Sequence, residues 1–255
     1  MLADLGNNRL NVCGGAFLTA DLFLTAAHCV NNTVSIVVGL NEFSDNTYNV
    51  TEVKEFEIYP DWGVSQATSI DQSAGDLAIL KLKEPKTELL QFAEMTVAQI
   101  GCNYEVIGYG QTGESTPSYL NRQRKSATLC IEEIYDKVML AKGQDGGLCF
   151  GDSGSPVFEK GTNKLVGIMS AAQMDENGKC NIANLALVNN PFEYSSFINL
   201  FANKNSNTTS ASLELCSPAD INGNNKFDIT DFKNISEYYL KSCKDDNVNY
   251  YCGNI

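Results

Sequence analysis

Apolar residues up to about position 190 come in short runs or alternate with polar ones, and helical spacing is scarce. The runs at 17–18, 22–24, 34–38, 77–82, 105–107, 156–158 and 165–169 are separated by Gly, Asn, Asp and Pro, the punctuation of an antiparallel sandwich or barrel. A helix is predicted from Pro191 to about Ala202, where Tyr194, Phe197, Ile198 and Phe201 share one face after the start signal Asn189-Asn190-Pro191. Beyond it, residues 203–210 contain no large apolar side chain and read as linker. This pattern divides the chain into an all-β domain over 1–202, a polar linker over 203–215 and a small tail over 216–255. A short helix is expected in the tail at about 229–241.

Composition narrows the function classes. The 255 residues are 43% hydrophobic and 19% charged, a globular balance. A net charge of −13 disfavours nucleic acid and anionic membrane as partners, because their phosphates would repel the chain. No apolar run approaches the ~18 residues of a membrane span. Nine cysteines point to an oxidising compartment, with at least one left over from intramolecular pairing. The single histidine means that any mechanism needing an imidazole must use His28.

Three segments carry candidate chemistry. Thr25-Ala26-Ala27-His28-Cys29 follows an apolar run, Gly75-Asp76-Leu77-Ala78-Ile79-Leu80 puts an acid at the mouth of a buried strand, and Gly151-Asp152-Ser153-Gly154-Ser155-Pro156 sets a serine in a glycine-rich turn. In that order they resemble the trypsin/chymotrypsin-like serine peptidases, over about residues 9–200. Cys13-Gly14-Gly15, Tyr59-Pro60-Asp61, Gly108-Tyr109-Gly110 and Val166-Gly167-Ile168-Met169-Ser170 match the family as well. The resemblance implies two six-stranded-type antiparallel β-barrels followed by a C-terminal helix. It implies a triad of Ser153, His28 and Asp76, with the amides of Gly151 and Ser153 as oxyanion donors. The residue types suit the chemistry: a serine hydroxyl needs a nearby base, and an imidazole needs a carboxylate to fix its tautomer. No cofactor is expected for catalysis.

The resemblance also implies bridges Cys13–Cys29 and Cys149–Cys180. Cys102 and Cys130, on the two arms around Gly108-Tyr109-Gly110, lack their usual family partners and are expected to pair with each other. The specificity pocket should have Gly147 at its floor, walls at Ala171, Ala172 and Ala183, and a substrate strand pairing along Ser170 to Ala172. That lining predicts an uncharged, small-to-medium apolar residue before the cut bond. The alternative is that Asp145 swings in through Gly146-Gly147 and selects a basic residue.

Two features depart from the family. Met1-Leu2-Ala3-Asp4 has neither the basic end nor the apolar segment of a signal peptide, and no Ile-Val-Gly-Gly-like activating end precedes Cys13. The expectation is a secreted protein whose leader, propeptide and first strand lie upstream of this sequence, with Asp152 exposed or rearranged and activity low. The rival reading is a catalytically inactive or zymogen-like protease-fold binding protein. In the tail, Asp220, Asn222, Asn224, Asp228 and Asp231 present oxygens at calcium-loop spacing, with the Lys226 carbonyl between them. They resemble one dockerin repeat, which implies Ca2+ and a cohesin-like or surface scaffold partner. The bland alternatives are a polar turn before a helix, or a stapled stabiliser of the protease domain.

Overall fold

The computed structural model describes residues 1–6, 9–39, 50–63, 75–89, 91–111, 124–173, 180 and 185–205. The chain divides into two units, Met1–Ser206 and Asn207–Ile255; the predicted calcium loop and Cys216, Cys243 and Cys252 lie outside the described residues.

The first sheet contains β1 (Leu2–Asp4), β2 (Leu10–Val12), β3 (Ala16–Phe17), β4 (Leu22–Thr25), β5 (Ser35–Gly39), β6 (Val50–Ile58) and β7 (Ala78–Leu82), in the order β2-β1-β5-β6-β7-β4-β3. Only Cys13-Gly14-Gly15 separates β2 from β3, so residues 10–17 act as one interrupted strand. Its first half pairs with β1 and its second with β4, which joins the two ends of the sheet.

The second sheet contains β8 (Glu94–Met95), β9 (Gly101–Gly108), β10 (Lys125–Tyr135), β11 (Val138–Gly143), β12 (Pro156–Glu159), β13 (Lys164–Ala172) and β14 (Leu185–Asn189). Here β12 pairs with both β9 and β13 and closes six strands into a ring, while β8 adds to β13 in parallel. Each sheet is thus the six-stranded barrel that the resemblance implies, with edges largely removed by closure.

The continuous apolar runs follow from this arrangement. Along β4 and β7 successive side chains point to opposite faces. Phe23, Ala78, Leu80 and Leu82 fill the interior of the first barrel, whereas Leu22, Leu24, Leu77 and Ile79 face a second apolar layer. That layer also takes Leu165 and Ile168 from β13, and Tyr194, Ile198 and Phe201 from the C-terminal helix. Each fully buried Leu or Ile is worth roughly 1.5–3 kcal/mol of transfer free energy. The layer therefore ties both barrels and the helix into one unit.

The helix differs slightly from its prediction. Residues Pro191–Tyr194 form a 3-10 turn, and α1 runs from Ser195 to Lys204. Asn190 makes no side-chain cap; its amide donates to the Asp136 carbonyl instead, at 3.4 Å. The predicted face is buried at Tyr194, Ile198 and Phe201, with Phe197 packed beside them.

Candidate active site

His28 sits in a 3-10 turn, Ala27–Cys29, directly after β4. The turn aims both its main-chain N–H and its ring at Asp76, which lies in the turn leading into β7. The His28 amide donates to Asp76 Oδ1 at 2.8 Å, and Nδ1 lies 2.7 Å from Oδ2. Among the described residues Nε2 meets only the Cys29 Sγ, at 3.7 Å. The histidine side chain is 39% exposed and the aspartate side chain 6%. Burial alone would raise the Asp76 carboxyl. Hydrogen bonds from His28 and Ser170, with the His28 charge, more than offset it and hold the pKa below its ordinary 3.8.

Ser153 lies in the turn before β12. This turn is tied to both barrels: Gly14 N–H of the first donates to the Ser153 carbonyl at 2.7 Å, and Gly154 N–H donates to the Met169 carbonyl of β13 at 2.7 Å. Gly154 has φ +77°, and a Cβ there would come within 2.3 Å of Thr25 Oγ1 and 2.6 Å of the Gly14 carbonyl. Only glycine allows so close an approach. Among the described residues, Ser153 Oγ makes one long hydrogen bond, to the Ser170 carbonyl at 3.5 Å, and none to His28. Gly151 takes φ +98°. Among the described residues, no acceptor takes the amide hydrogens of Gly151 or Ser153.

Asp152 is half-buried rather than exposed. Its Oδ1 accepts from Gly110 N–H at 2.8 Å and its Oδ2 from Cys149 N–H at 3.0 Å. A Cβ on Gly108 or Gly110 would stand 2.1 or 2.0 Å from a carboxylate oxygen. The Gly108-Tyr109-Gly110 segment is thereby explained as the seat of this side chain. The Met1 amino nitrogen is buried separately and donates to the Cys13 carbonyl at 2.9 Å; burial lowers its pKa to about 5.

Three residues hold Asp76 from the other barrel and the segment after it. Ser170 Oγ donates to Asp76 Oδ2 at 2.6 Å, and Asn189 Nδ2 to the Asp76 carbonyl at 2.8 Å. The Tyr194 hydroxyl accepts the Gly75 N–H at 2.7 Å, and burial pushes its phenol pKa up, so it stays neutral. Sequence reasoning placed Ser170 only on the substrate edge, and gave Asn189 and Tyr194 parts in the C-terminal helix but no role at the site. They stand 94, 113 and 119 residues from the groups they hold, so no local motif marks them.

The pocket residues are only partly described. Gly147 and Ala171 are exposed, Ala172 is half-buried, and Ala183 lies outside the described residues. Asp145 is bound to Thr128: its two oxygens accept from the Thr128 N–H at 2.6 Å and hydroxyl at 2.8 Å. The three expected bridges, Cys13–Cys29, Cys102–Cys130 and Cys149–Cys180, are all formed. The second joins neighbouring β9 and β10, and the third anchors the serine turn.

A histidine paired with an aspartate, and a serine in a tight glycine turn, carried on two closed barrels, are the residue types of a serine-hydrolase site. The profile of the trypsin family, described as "Trypsin", matches residues 2–198, and the chain belongs to that family. Mouse kallikrein-1 is 28% identical over 181 residues, covering 62% of this chain and 69% of its own. Mouse vitamin K-dependent protein C is 29% identical over 197 residues, covering 65% of this chain, which spans only 42% of that relative. Among solved structures, human heparin binding protein superposes with a TM-score of 0.60 at 17% identity, covering 79% of this chain and 89% of its own. That likeness concerns the fold alone. Among the described residues no helix is long and apolar enough to cross a membrane.

Proposed function

We propose that the protein is a secreted serine endopeptidase acting on protein or peptide substrates. Ser153 Oγ attacks the scissile carbonyl carbon and His28 Nε2 takes its proton. The oxyanion that forms is received by the Gly151 and Ser153 amides. His28 then returns the proton to the leaving amine, giving an acyl ester on Ser153. Water, activated by the same imidazole, hydrolyses it. Asp76 fixes the ring so that Nδ1 carries hydrogen and Nε2 is free to accept. The observation that carries this reading is the double contact of Asp76 with His28, which leaves Nε2 as the ring's unoccupied basic position. Incubation of the full chain with a fluorophosphonate should label Ser153, and Ser153→Ala should abolish peptide cleavage. Cleavage that survives in Ser153→Ala sinks the proposal.

A second reading is favoured by two contacts: Ser153 bonds Ser170 rather than His28, and Asp152 is drawn onto the Gly110 and Cys149 amides. On that reading the chain is a zymogen-like or inactive protease-fold binding protein. A folded chain that never labels would support it.

We further propose an uncharged, small-to-medium apolar residue before the cut bond. Gly147 offers no charge, and Asp145 is occupied by Thr128. The substrate backbone would add along Ser170 to Ala172, with Ala183 as the far wall. Secretion is supported by three disulfides in one domain. For the tail we propose calcium held by Asp220, Asn222, Asn224, the Lys226 carbonyl, Asp228 and Asp231, docking the enzyme to a cohesin-like or surface scaffold partner. Oxygen spacing alone supports this, and calorimetry of the full chain against Asp220→Ala tests it.

A further inference from the structure

We propose that Tyr194 is a positioning residue for Asp76, acting through the Gly75-Asp76-Leu77 turn and braced by Lys137 and Tyr59. This rests on the proposed triad and extends it to groups that touch neither the carboxylate nor the substrate.

The turn is held on three sides. Tyr59 N–H donates to the Leu77 carbonyl at 2.9 Å, Asn189 Nδ2 to the Asp76 carbonyl at 2.8 Å, and Gly75 N–H to Tyr194 OH at 2.7 Å. The last contact is unusual in kind, because a side-chain hydroxyl does what a neighbouring strand would ordinarily do. Gly75 is buried and takes φ +92°. Its N–H therefore has no water to turn to if the hydroxyl is removed, and a buried orphan donor forces the chain to shift.

Tyr194 is itself located by an aromatic brace. Its ring meets Tyr59 edge-on at 4.8 Å between centroids, and Tyr59 meets Phe197 likewise at 5.4 Å. The Lys137 ammonium, from the hairpin between β10 and β11, donates to Tyr59 OH at 3.0 Å and lies 5.2 and 5.9 Å from the Tyr59 and Tyr194 ring centres. A Cβ on Gly75 would reach within 2.9 Å of Tyr59 Cδ1, so the brace and the turn are in direct contact. Displacement of the turn moves the Asp76 carboxylate, which contacts two His28 nitrogens. A misplacement of about 1 Å in such a constellation costs roughly 100-fold in rate.

The test measures Ser153 labelling of the full chain by a fluorophosphonate, separating the saturating rate from the half-saturating concentration. Four proteins are compared: wild type, Tyr194→Phe, Asp76→Asn and the double variant. The saturating rate of Tyr194→Phe should fall about 10- to 100-fold, with the half-saturating concentration within about twofold. In the Asp76→Asn background the same change should cost less than about twofold, because there is no carboxylate left to position. Wild-type labelling by Tyr194→Phe overturns the proposal. So does an equal loss in both backgrounds, which would mark a general effect on the fold. If Asp76→Asn alone labels as fast as wild type, the triad reading fails first, and this proposal with it. Should Tyr194→Phe not fold, the half-buried Lys137→Gln carries the same comparison, with a loss of roughly 2- to 5-fold that also vanishes in the Asp76→Asn background.

Discussion

Gly154 and Gly161 share almost the same backbone, φ +77° and +75°, in opposite surroundings. At Gly161 a Cβ would meet nothing within 4 Å, whereas at Gly154 it would meet Thr25 Oγ1 at 2.3 Å and the Gly14 carbonyl at 2.6 Å. Gly161→Ala therefore bears only the left-handed strain of roughly 1–2 kcal/mol, reduced by about 0.4–1 kcal/mol through the stiffer unfolded chain. Gly154→Ala bears that strain, an overpacking cost of roughly 1–3 kcal/mol, and loss of the Thr25 hydroxyl bond to the Gly14 carbonyl, worth about 0.5–1.5 kcal/mol. The contributions total about 2.5–6.5 kcal/mol, or roughly 1.5–6 kcal/mol after the same unfolded-chain reduction, centred on about 4 kcal/mol. In a domain of this size that lowers Tm by roughly 10–15 °C, against about 2–3 °C for Gly161→Ala. Thermal melting followed by circular dichroism measures both variants. Ser153 labelling should fall only in Gly154→Ala, because the contact being pried apart holds the serine turn. Equal melting of the two variants, or wild-type labelling by Gly154→Ala, refutes the reasoning.

Replacing Asp76 by Asn should lower the acylation rate by about four powers of ten, since the imidazole loses its tautomer and its counter-charge; single-turnover ester hydrolysis reads it. The same residue sets an acid dependence. Its folded pKa lies below 3.8, so the stabilisation from its charge is whole above pH 3.8 and is lost as pH falls through the folded value. The stability gap between wild type and Asp76→Asn should therefore close in acid, and a gap independent of pH contradicts the assignment. Changing both Cys102 and Cys130 to Ser opens a loop of 28 residues and should cost about 3.5 kcal/mol by loop-closure entropy, measured by urea unfolding. Asp145→Asn should leave the peptide-library profile unchanged; a lost preference for Arg or Lys would show that Asp145 does enter the pocket.

Much of the site was legible because its three reactive residues sit in short segments with their own chemistry. His28 and Ser153 lie in tight turns, and Asp76 opens a buried strand. The supports were not legible: Ser170, Asn189 and Tyr194 act on Asp76 or its neighbour across a distance in sequence that only the tertiary fold closes. Among the strands, β4, β7 and β13 were read from apolar runs because both of their faces are buried. β6 was missed, and β10 was read only as the arm that carries Cys130 and not from its apolar pattern, for a physical reason. A bulge lies between Val53 and Glu55 in β6, and another between Ile131 and Glu133 in β10. Each extra residue interrupts the alternation that would have marked them. The 3-10 start of the C-terminal helix was hidden as well, because Asn190 spends its amide on Asp136 instead of on a cap.

Asp76 belongs to the first barrel, but beside His28 and the Tyr59 amide the contacts that steady it and its turn are supplied by Ser170, Asn189 and Tyr194. Domains emerge from the ribosome N-terminal part first. A nascent chain can therefore bring His28 and Asp76 together early, yet the acid lacks these later supports until β14 and α1 have been made. Even after Ser153 has been added, the three supports are still to come. On the proposed reading, the supports of the catalytic acid are therefore complete only once β14 and α1 have been made, well after His28, Asp76 and Ser153 themselves.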